Sequence, residues 1–141
     1  MKITAPLLAA GAVALAGCAA PSKDMDMTTR AQCTTSPCQL TVKVTDCRRI
    51  KTTPYVLDVP AGNRNDIVWS LDAPSNWTFT NKGVEFKTGS GGGFSSGGGG
   101  GSTTYRWHNN HSANGEHRYN VNVTPDRGQT ICTEDPTIVN H

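Results

Sequence analysis

The sequence lacks several features that define common classes of protein. Its longest apolar run, Ala5–Ala16, is about a dozen residues long, whereas a helix that spans a bilayer needs about 20. Outside that run, no segment repeats apolar residues with the 3.6-residue period of an amphipathic helix. The formal net charge is only +2 over 141 residues, so nothing in the charge balance predicts a nucleic acid partner.

Motifs that carry catalysis are also missing. No Gly-x-Ser-x-Gly elbow occurs. Carboxylates such as Asp72, Glu85 and Asp135 are scattered over separate segments, so no pair can be assigned acid and base roles. The glycine-rich stretch Gly89–Ser102 lacks the Gly-Lys-Ser/Thr ending of a phosphate-binding loop. The sequence therefore predicts a protein that is not an enzyme and that has no cofactor.

The N-terminus has the organisation of a secretory signal. Lys2 supplies the charge, Ala5–Ala16 forms the apolar region, and small residues form the cleavage site. An ordinary signal ends in a pattern such as Ala-x-Ala, whereas here Cys18 directly follows Leu-Ala-Gly. A plain signal peptide with an incidental cysteine is one reading of this stretch.

Residues 15–18, Leu-Ala-Gly-Cys, also resemble the lipobox of bacterial lipoproteins. The resemblance implies that residues 1–17 are a lipoprotein signal peptide and that the thiol of Cys18 receives a diacylglyceryl group. It further implies that the new N-terminus is acylated, and two or more acyl chains anchor a protein stably in a lipid bilayer. In many Gram-negative bacteria the residue after the lipobox cysteine directs lipoprotein sorting. Because that residue is Ala19 here rather than Asp, the resemblance favours the outer membrane of the cell envelope.

The remainder of the chain predicts a tether and one all-β domain. Residues 18–36 are small, polar and aperiodic, which is typical of a flexible tether. Residues 37–141 are enough for one domain and contain about seven or eight short alternating segments separated by turn residues, typical of an antiparallel, Greek-key-type β-sandwich of the Ig-like or cupredoxin-like kind. The predicted strands centre on Leu40–Val44, Tyr55–Val59, Ile67–Leu71, Trp77–Phe79, Val84–Phe86, Tyr105–Trp107, Tyr119–Val123 and Thr137–Val139. Residues 81–83, Asn-Lys-Gly, predict a turn between the fourth and the fifth.

Four cysteines remain once Cys18 is assigned to lipid, and an even number in an exported chain predicts two disulfides. The extended segment between Cys38 and Cys47 separates them by about 30 Å, too far for a bridge that needs Cα atoms within about 7 Å. Cys33 reaches at most about 18 Å from Cys38, so it cannot meet Cys47 either. The surviving pairs are Cys33–Cys38 and Cys47–Cys132. A zinc–thiolate site is the alternative, although no Cys-x-x-Cys spacing occurs.

Two stretches resemble cupredoxins. They are residues 55–62 leading to Ile67-Val68-Trp69, and residues 115–121, Gly-Glu-His-Arg-Tyr-Asn-Val. The resemblance implies a sandwich fold, but a blue-copper site needs two histidines and a cysteine thiolate, and Cys132 is followed by Thr-Glu-Asp-Pro without a histidine or methionine. Residues 38–47 and 132–140 also resemble small exported proteobacterial proteins, which implies the same sandwich and disulfide framework.

Two further segments could carry function. Gly89–Ser102 predicts a flexible loop at one end of the sandwich, with Phe94 folded back onto the domain or serving as a binding anchor. His108, His111 and His117 lie in a stretch that could form the end of a hairpin, where three imidazoles would suit Zn²⁺ or Cu²⁺.

We therefore expect a membrane-anchored envelope lipoprotein whose sandwich is a non-catalytic binding or structural module. The expected partners are the lipid bilayer, through acylated Cys18, and an envelope protein or glycan that contacts loops at one end of the domain. The alternative is a periplasmic metal-binding protein that uses His108, His111 and His117.

Overall fold

Eleven β-strands make up the regular structure, which the computed structural model describes for residues 29–141. The strands are β1 (Arg30–Gln32), β2 (Cys38–Asp46), β3 (Arg49–Thr53), β4 (Val56–Val59), β5 (Asn65–Asp72), β6 (Thr78–Phe86), β7 (Phe94–Gly98), β8 (Thr104–Asn109), β9 (Gly115–Thr124), β10 (Cys132–Glu134) and β11 (Thr137–Asn140). The predicted all-β class is confirmed. Within residues 29–141 no helix is long and apolar enough to cross a membrane.

The strands form two sheets. One has five strands in the order β3-β2-β5-β8-β7, and the other has six in the order β1-β4-β11-β9-β10, with β6 also paired to β9. The β-sandwich is confirmed, but the number of strands is higher than predicted. The expectation of purely antiparallel sheets is wrong, because β2 runs parallel to β5, and β4 runs parallel to both β1 and β11.

Alternation along the strands builds the core between the sheets. In β2, every second side chain from Cys38 to Val44 is buried, and the residues between them are exposed. Its parallel neighbour β5 places Trp69 beside Leu40 on the same inner face. The largest fully buried side chains are Trp69, Tyr119 and Phe79. No buried side-chain nitrogen or oxygen in residues 29–141 lacks a hydrogen-bond partner.

Two disulfides stabilise the sandwich, and both predicted pairs are confirmed. Cys33 and Cys38 have Cα atoms 5.4 Å apart and join the end of β1 to the start of β2. Cys47 and Cys132 have Cα atoms 5.0 Å apart and join the β2–β3 turn to β10 in the other sheet. The second bridge therefore connects the two layers directly.

The ordered domain begins earlier than the predicted boundary at residue 37. Strand β1 lies inside the range 18–36 that predicts a tether, and it pairs in parallel with β4. The guanidinium of Arg30 donates two hydrogen bonds to the carboxylate of Asp58, and Cys33 is buried. A polar stretch is therefore ordered here by backbone pairing, an ion pair and a disulfide, none of which shows as apolar periodicity. The predicted tether from 18 to 28 lies outside the described residues.

Strand β6 passes through the predicted turn at residues 81–83. Phe79 pairs with Val123 and Val84 with Val121, so the residues between Phe79 and Val84 form a wide bulge opposite Asn122. The Asn122 side-chain amide donates to the carbonyl of Lys82 at 2.7 Å and satisfies the bulged backbone. The prediction of two strands and a turn is wrong, because Asn, Lys and Gly serve a bulge as well as a turn.

Candidate functional site

Residues 108–117 do not form a hairpin end. His108 lies in β8, which pairs with β5 and β7, whereas His117 lies in β9, which pairs with strands of the other sheet. The segment between them therefore crosses from one sheet to the other. The hairpin prediction is wrong, because the turn signal Asn114-Gly115 stands at the start of a strand that turns away from β8.

The three histidines of the predicted metal site contact separate groups. These are the carboxylate of Asp66 for His108, backbone carbonyls of Asn63 and His141 for His111, and backbone carbonyls of Ser90 and Ala113 for His117. In the part of the chain that the structure describes, no three His, Cys, Asp or Glu side chains come together as a group that could hold a metal ion. The arrangement therefore lends no support to the metal-binding alternative.

The glycine-rich segment is a strand over part of its length. Strand β7 pairs antiparallel with β8, so the interpretation of Gly89–Ser102 as a flexible loop is wrong for residues 94–98. A Cβ atom at Gly97 would lie 2.3 Å from the indole ring of Trp107. The lack of a side chain thus allows the backbone of β7 to lie directly on that ring.

Phe94 packs back onto the domain, as one of the two interpretations predicts. Its ring stacks on Phe86 with centroids 4.2 Å apart, and it meets His117 edge-on at 5.0 Å. Phe86 in turn meets Trp107 edge-on at 5.4 Å. Aromatic pairs at these separations contribute about 0.5–1.5 kcal/mol beyond the area that they bury. The cluster therefore holds the glycine-rich segment in place.

Phe86, Phe94 and Trp107 line a surface groove of about 340 Å³ between the two sheets. Edge strand β6 forms one side, and β7 with β8 forms the other. The residues that line this aromatic groove are Asn81, Lys82, Val84, Glu85, Phe86, Gly91, Phe94, Tyr105 and Trp107. Ligand pockets begin at about 300 Å³, so the aromatic groove is large enough for a small ligand or a short piece of a longer one.

The polar atoms of the aromatic side chains are already hydrogen-bonded within the protein. The indole Nε1 of Trp107 donates to the carbonyl of Val84 at 3.0 Å, and the hydroxyl of Tyr105 donates to the carbonyl of Asn81 at 3.2 Å. Both acceptors belong to the edge strand β6, and these two carbonyls are thereby shielded from an added strand. The aromatic rings therefore give the floor of the groove an apolar surface toward a ligand.

A charged pair stands at the rim of the aromatic groove. The ammonium of Lys82 donates to the carboxylate of Glu85 at 2.9 Å; the Lys82 side chain is largely exposed, and that of Glu85 is 44% exposed. The hydrogen bond to Glu85, and secondarily its charge, raise the pKa of Lys82, so the ammonium stays protonated. Burial, with a smaller contribution from Glu85, raises the pKa of Tyr105, so its phenol remains a hydrogen-bond donor to Asn81.

Close backbone packing shapes the groove floor. A Cβ atom at Gly83 would lie 2.7 Å from both the Phe79 Cβ and the ring of Tyr105. Glycine at this position of the bulge allows the Tyr105 ring to lie against the backbone of β6, and the bulge itself carries Asn81 and Lys82 to the rim. The residues that make β6 irregular thus form part of the site.

Sequence reasoning missed the aromatic groove, because its rings come from three strands that no local pattern joins. Phe86 lies in one predicted strand, Tyr105 and Trp107 lie in another, and Phe94 is the one aromatic residue in the glycine-rich stretch. The isolated Phe94 was the one available signal, since an aromatic residue within a glycine-rich stretch must either pack or bind. Cys18, the predicted lipid attachment site, lies outside the described residues.

No model of a known protein family matches the chain, and none of the curated proteins matches it significantly.

Proposed function

We propose that this chain is a lipoprotein of the bacterial cell envelope, held in the outer membrane by an acylated Cys18. Residues 15–18, Leu-Ala-Gly-Cys, support the anchor. The pairs Cys33–Cys38 and Cys47–Cys132 agree with an oxidising compartment outside the cytoplasm, where disulfides persist. The sandwich would then stand at the membrane surface as a non-catalytic binding module.

The aromatic groove is the observation that carries the binding role. It combines a concave shape and four aromatic side chains with a polar rim, which is the usual composition of a ligand site. Among residues 29–141, Ile131 is the one large hydrophobic side chain that is exposed, and it does not line the groove. The proposed contact surface is therefore the aromatic groove, on the side of the sandwich where β6 and β7 meet, and an envelope component is its partner.

Retention on isolated cell envelopes tests the binding role. The full chain with Cys18→Ser, which cannot be acylated, is mixed with washed envelopes and sedimented. We expect it to be retained, and Phe94→Ala in the same background to lose most of that retention because one wall of the aromatic groove is removed. Ile131→Ala is the matched control, since it removes an exposed apolar side chain outside the groove.

Equal retention of the Phe94→Ala and Ile131→Ala chains would contradict a binding role for the groove. Lys82→Ala is a second test that does not disturb packing, because that side chain is largely exposed. It should also weaken retention. Unfolding curves of all chains separate loss of binding from loss of the fold.

A further inference from the structure

The floor of the aromatic groove accepts apolar surface and offers no polar contact from its rings. The indole N–H of Trp107 donates to the carbonyl of Val84, and the hydroxyl of Tyr105 donates to the carbonyl of Asn81. Phe86 and Phe94 have no polar atoms in their side chains. A ligand that enters the groove must therefore turn a face of C–H groups toward these rings.

The rim of the groove offers both hydrogen-bond donors and hydrogen-bond acceptors, and it carries no net charge. Lys82 supplies N–H donors, Glu85 supplies carboxylate acceptors, and the exposed amide of Asn81 supplies both. Because the two charges lie 2.9 Å apart, they largely cancel for a ligand at the rim. A charged ligand would lose part of its hydration on binding, and the rim has no unpaired group of opposite charge that would compensate for this loss. The rim is therefore complementary to a neutral ligand that carries many hydroxyl or amide groups.

Two other classes of ligand fit less well. An extended peptide that joins a sheet edge needs open backbone carbonyls on that edge, and those of Asn81 and Val84 already accept hydrogen bonds from Tyr105 and Trp107. An acyl chain would fill the floor but would leave the donors and acceptors of Lys82 and Glu85 unused.

From these contacts we infer that the aromatic groove binds an uncharged saccharide. The apolar face of a sugar ring lies on the rings of Phe86, Phe94 and Trp107, and its hydroxyl groups exchange hydrogen bonds with Lys82 and Glu85. The inference rests on the proposed function, since it names the ligand class of the same groove. A neutral glycan exposed at the envelope surface is the partner that this chemistry selects.

Titration with defined sugars tests the inference. The full chain with Cys18→Ser is titrated by calorimetry, and by tryptophan fluorescence, to which Trp107 contributes, with soluble neutral oligomers of glucose and of N-acetylglucosamine. We expect at least one neutral series to bind, and Phe94→Ala to weaken that binding by about tenfold through the lost ring contact. Glu85→Gln, which keeps the shape of the rim and the fold, should weaken it several-fold. Ile131→Ala should leave it unchanged.

Charged and apolar probes complete the test. Oligogalacturonate has sugar rings with a carboxylate on each, and laurate is an acyl chain. If either probe binds, with binding that Phe94→Ala weakens, while the neutral oligomers do not bind, the saccharide inference is overturned and the groove remains a binding site for another ligand. If no sugar binds but envelopes still retain the chain through Phe94, the inference also fails while the proposed function stands. If retention on envelopes is independent of Phe94 as well, both fail.

Discussion

Trp69 and Tyr119 meet edge-on at the centre of the sandwich, with ring centroids 5.5 Å apart. They come from β5 in one sheet and β9 in the other, and both are fully buried. The indole Nε1 of Trp69 donates a hydrogen bond to the Tyr119 hydroxyl at 3.2 Å. Burial raises the pKa of Tyr119 far above its usual range, so the hydroxyl stays neutral. This contact thus joins the two layers through a hydrogen bond between two fully buried side chains.

Removal of the Tyr119 hydroxyl should destabilise the fold. Tyr119→Phe leaves the buried N–H of Trp69 without its acceptor, which costs about 1–3 kcal/mol. Tyr55→Phe is the control, because the Tyr55 hydroxyl is near the surface, where water replaces its partner, and a change within about 0.5 kcal/mol is expected. Urea unfolding measures both, and equal stability of the two variants would contradict the role of this contact.

Two adjacent glycines should respond differently to a methyl group. Gly97→Ala places a Cβ atom 2.3 Å from the Trp107 ring, whereas a Cβ atom at Gly98 meets nothing within 4 Å. Over-packing of this kind costs about 1–3 kcal/mol, so Gly97→Ala should lower the unfolding midpoint and alter the tryptophan fluorescence, to which Trp107 contributes. Gly98→Ala should do neither. If both variants behave alike, β7 does not lie on Trp107 as described.

Stability should depend on pH through Glu134. Its carboxylate faces the inside of the sandwich and accepts a hydrogen bond from the Thr52 hydroxyl. Burial raises the pKa of Glu134 above the usual 4.5, and the hydrogen bond from Thr52 only partly opposes this. The folded chain therefore holds this proton more tightly than the unfolded chain does. The stabilisation is fully present below the unfolded pKa and is lost as the pH rises through the folded pKa.

Glu134→Gln removes that loss, because glutamine is neutral at every pH and can still accept the hydrogen bond from Thr52. The variant should gain stability over the parent chain as the pH rises from about 4 to about 7. Glu116→Gln, at an exposed site in the same sheet, is the control and should not reproduce the trend. A Glu134→Gln chain whose advantage is constant with pH, or reversed, would contradict the burial of this carboxyl.

The two disulfides should contribute unequally. Chain entropy predicts that the Cys47–Cys132 bridge, with a sequence separation of 85, stabilises by about 4–5 kcal/mol. The Cys33–Cys38 bridge, with a separation of 5, contributes about 2 kcal/mol in the same treatment. Replacing each pair by alanine and measuring urea unfolding compares them. A larger loss from the short loop would contradict the dominance of the bridge between the sheets.

Periodicity in the sequence predicts the all-β class and most strand cores, because burial of one face imposes a period of two. The disulfide pairs can also be predicted from the sequence, since an extended β2 keeps Cys38 and Cys47 apart. The direction of the strands cannot be predicted, because the alternation of apolar residues is the same whether β2 runs parallel or antiparallel to β5. The short strands β1, β3 and β10 lack an apolar pattern of useful length. They form because neighbouring strands offer backbone partners.

The candidate site could not be predicted for a related reason. Glycines in β7 and at residue 83 indicate a loop and a turn, but here they allow close packing against Trp107 and Tyr105. Whether a glycine serves a turn, a bulge or a close approach is decided by what lies opposite, and that is a tertiary property. The same holds for His108 and His117, which are near in sequence but belong to different sheets.

The chemical state of residue 18 tests the proposed function most directly. The protein is isolated from the membranes of a bacterium that expresses the full chain, and its N-terminal peptide is analysed by mass spectrometry. The proposal predicts a chain that begins at Cys18 and carries a diacylglyceryl group on the sulfur and an acyl group on the amine. A chain that retains residues 1–17, or one with an unmodified thiol at Cys18, would contradict it.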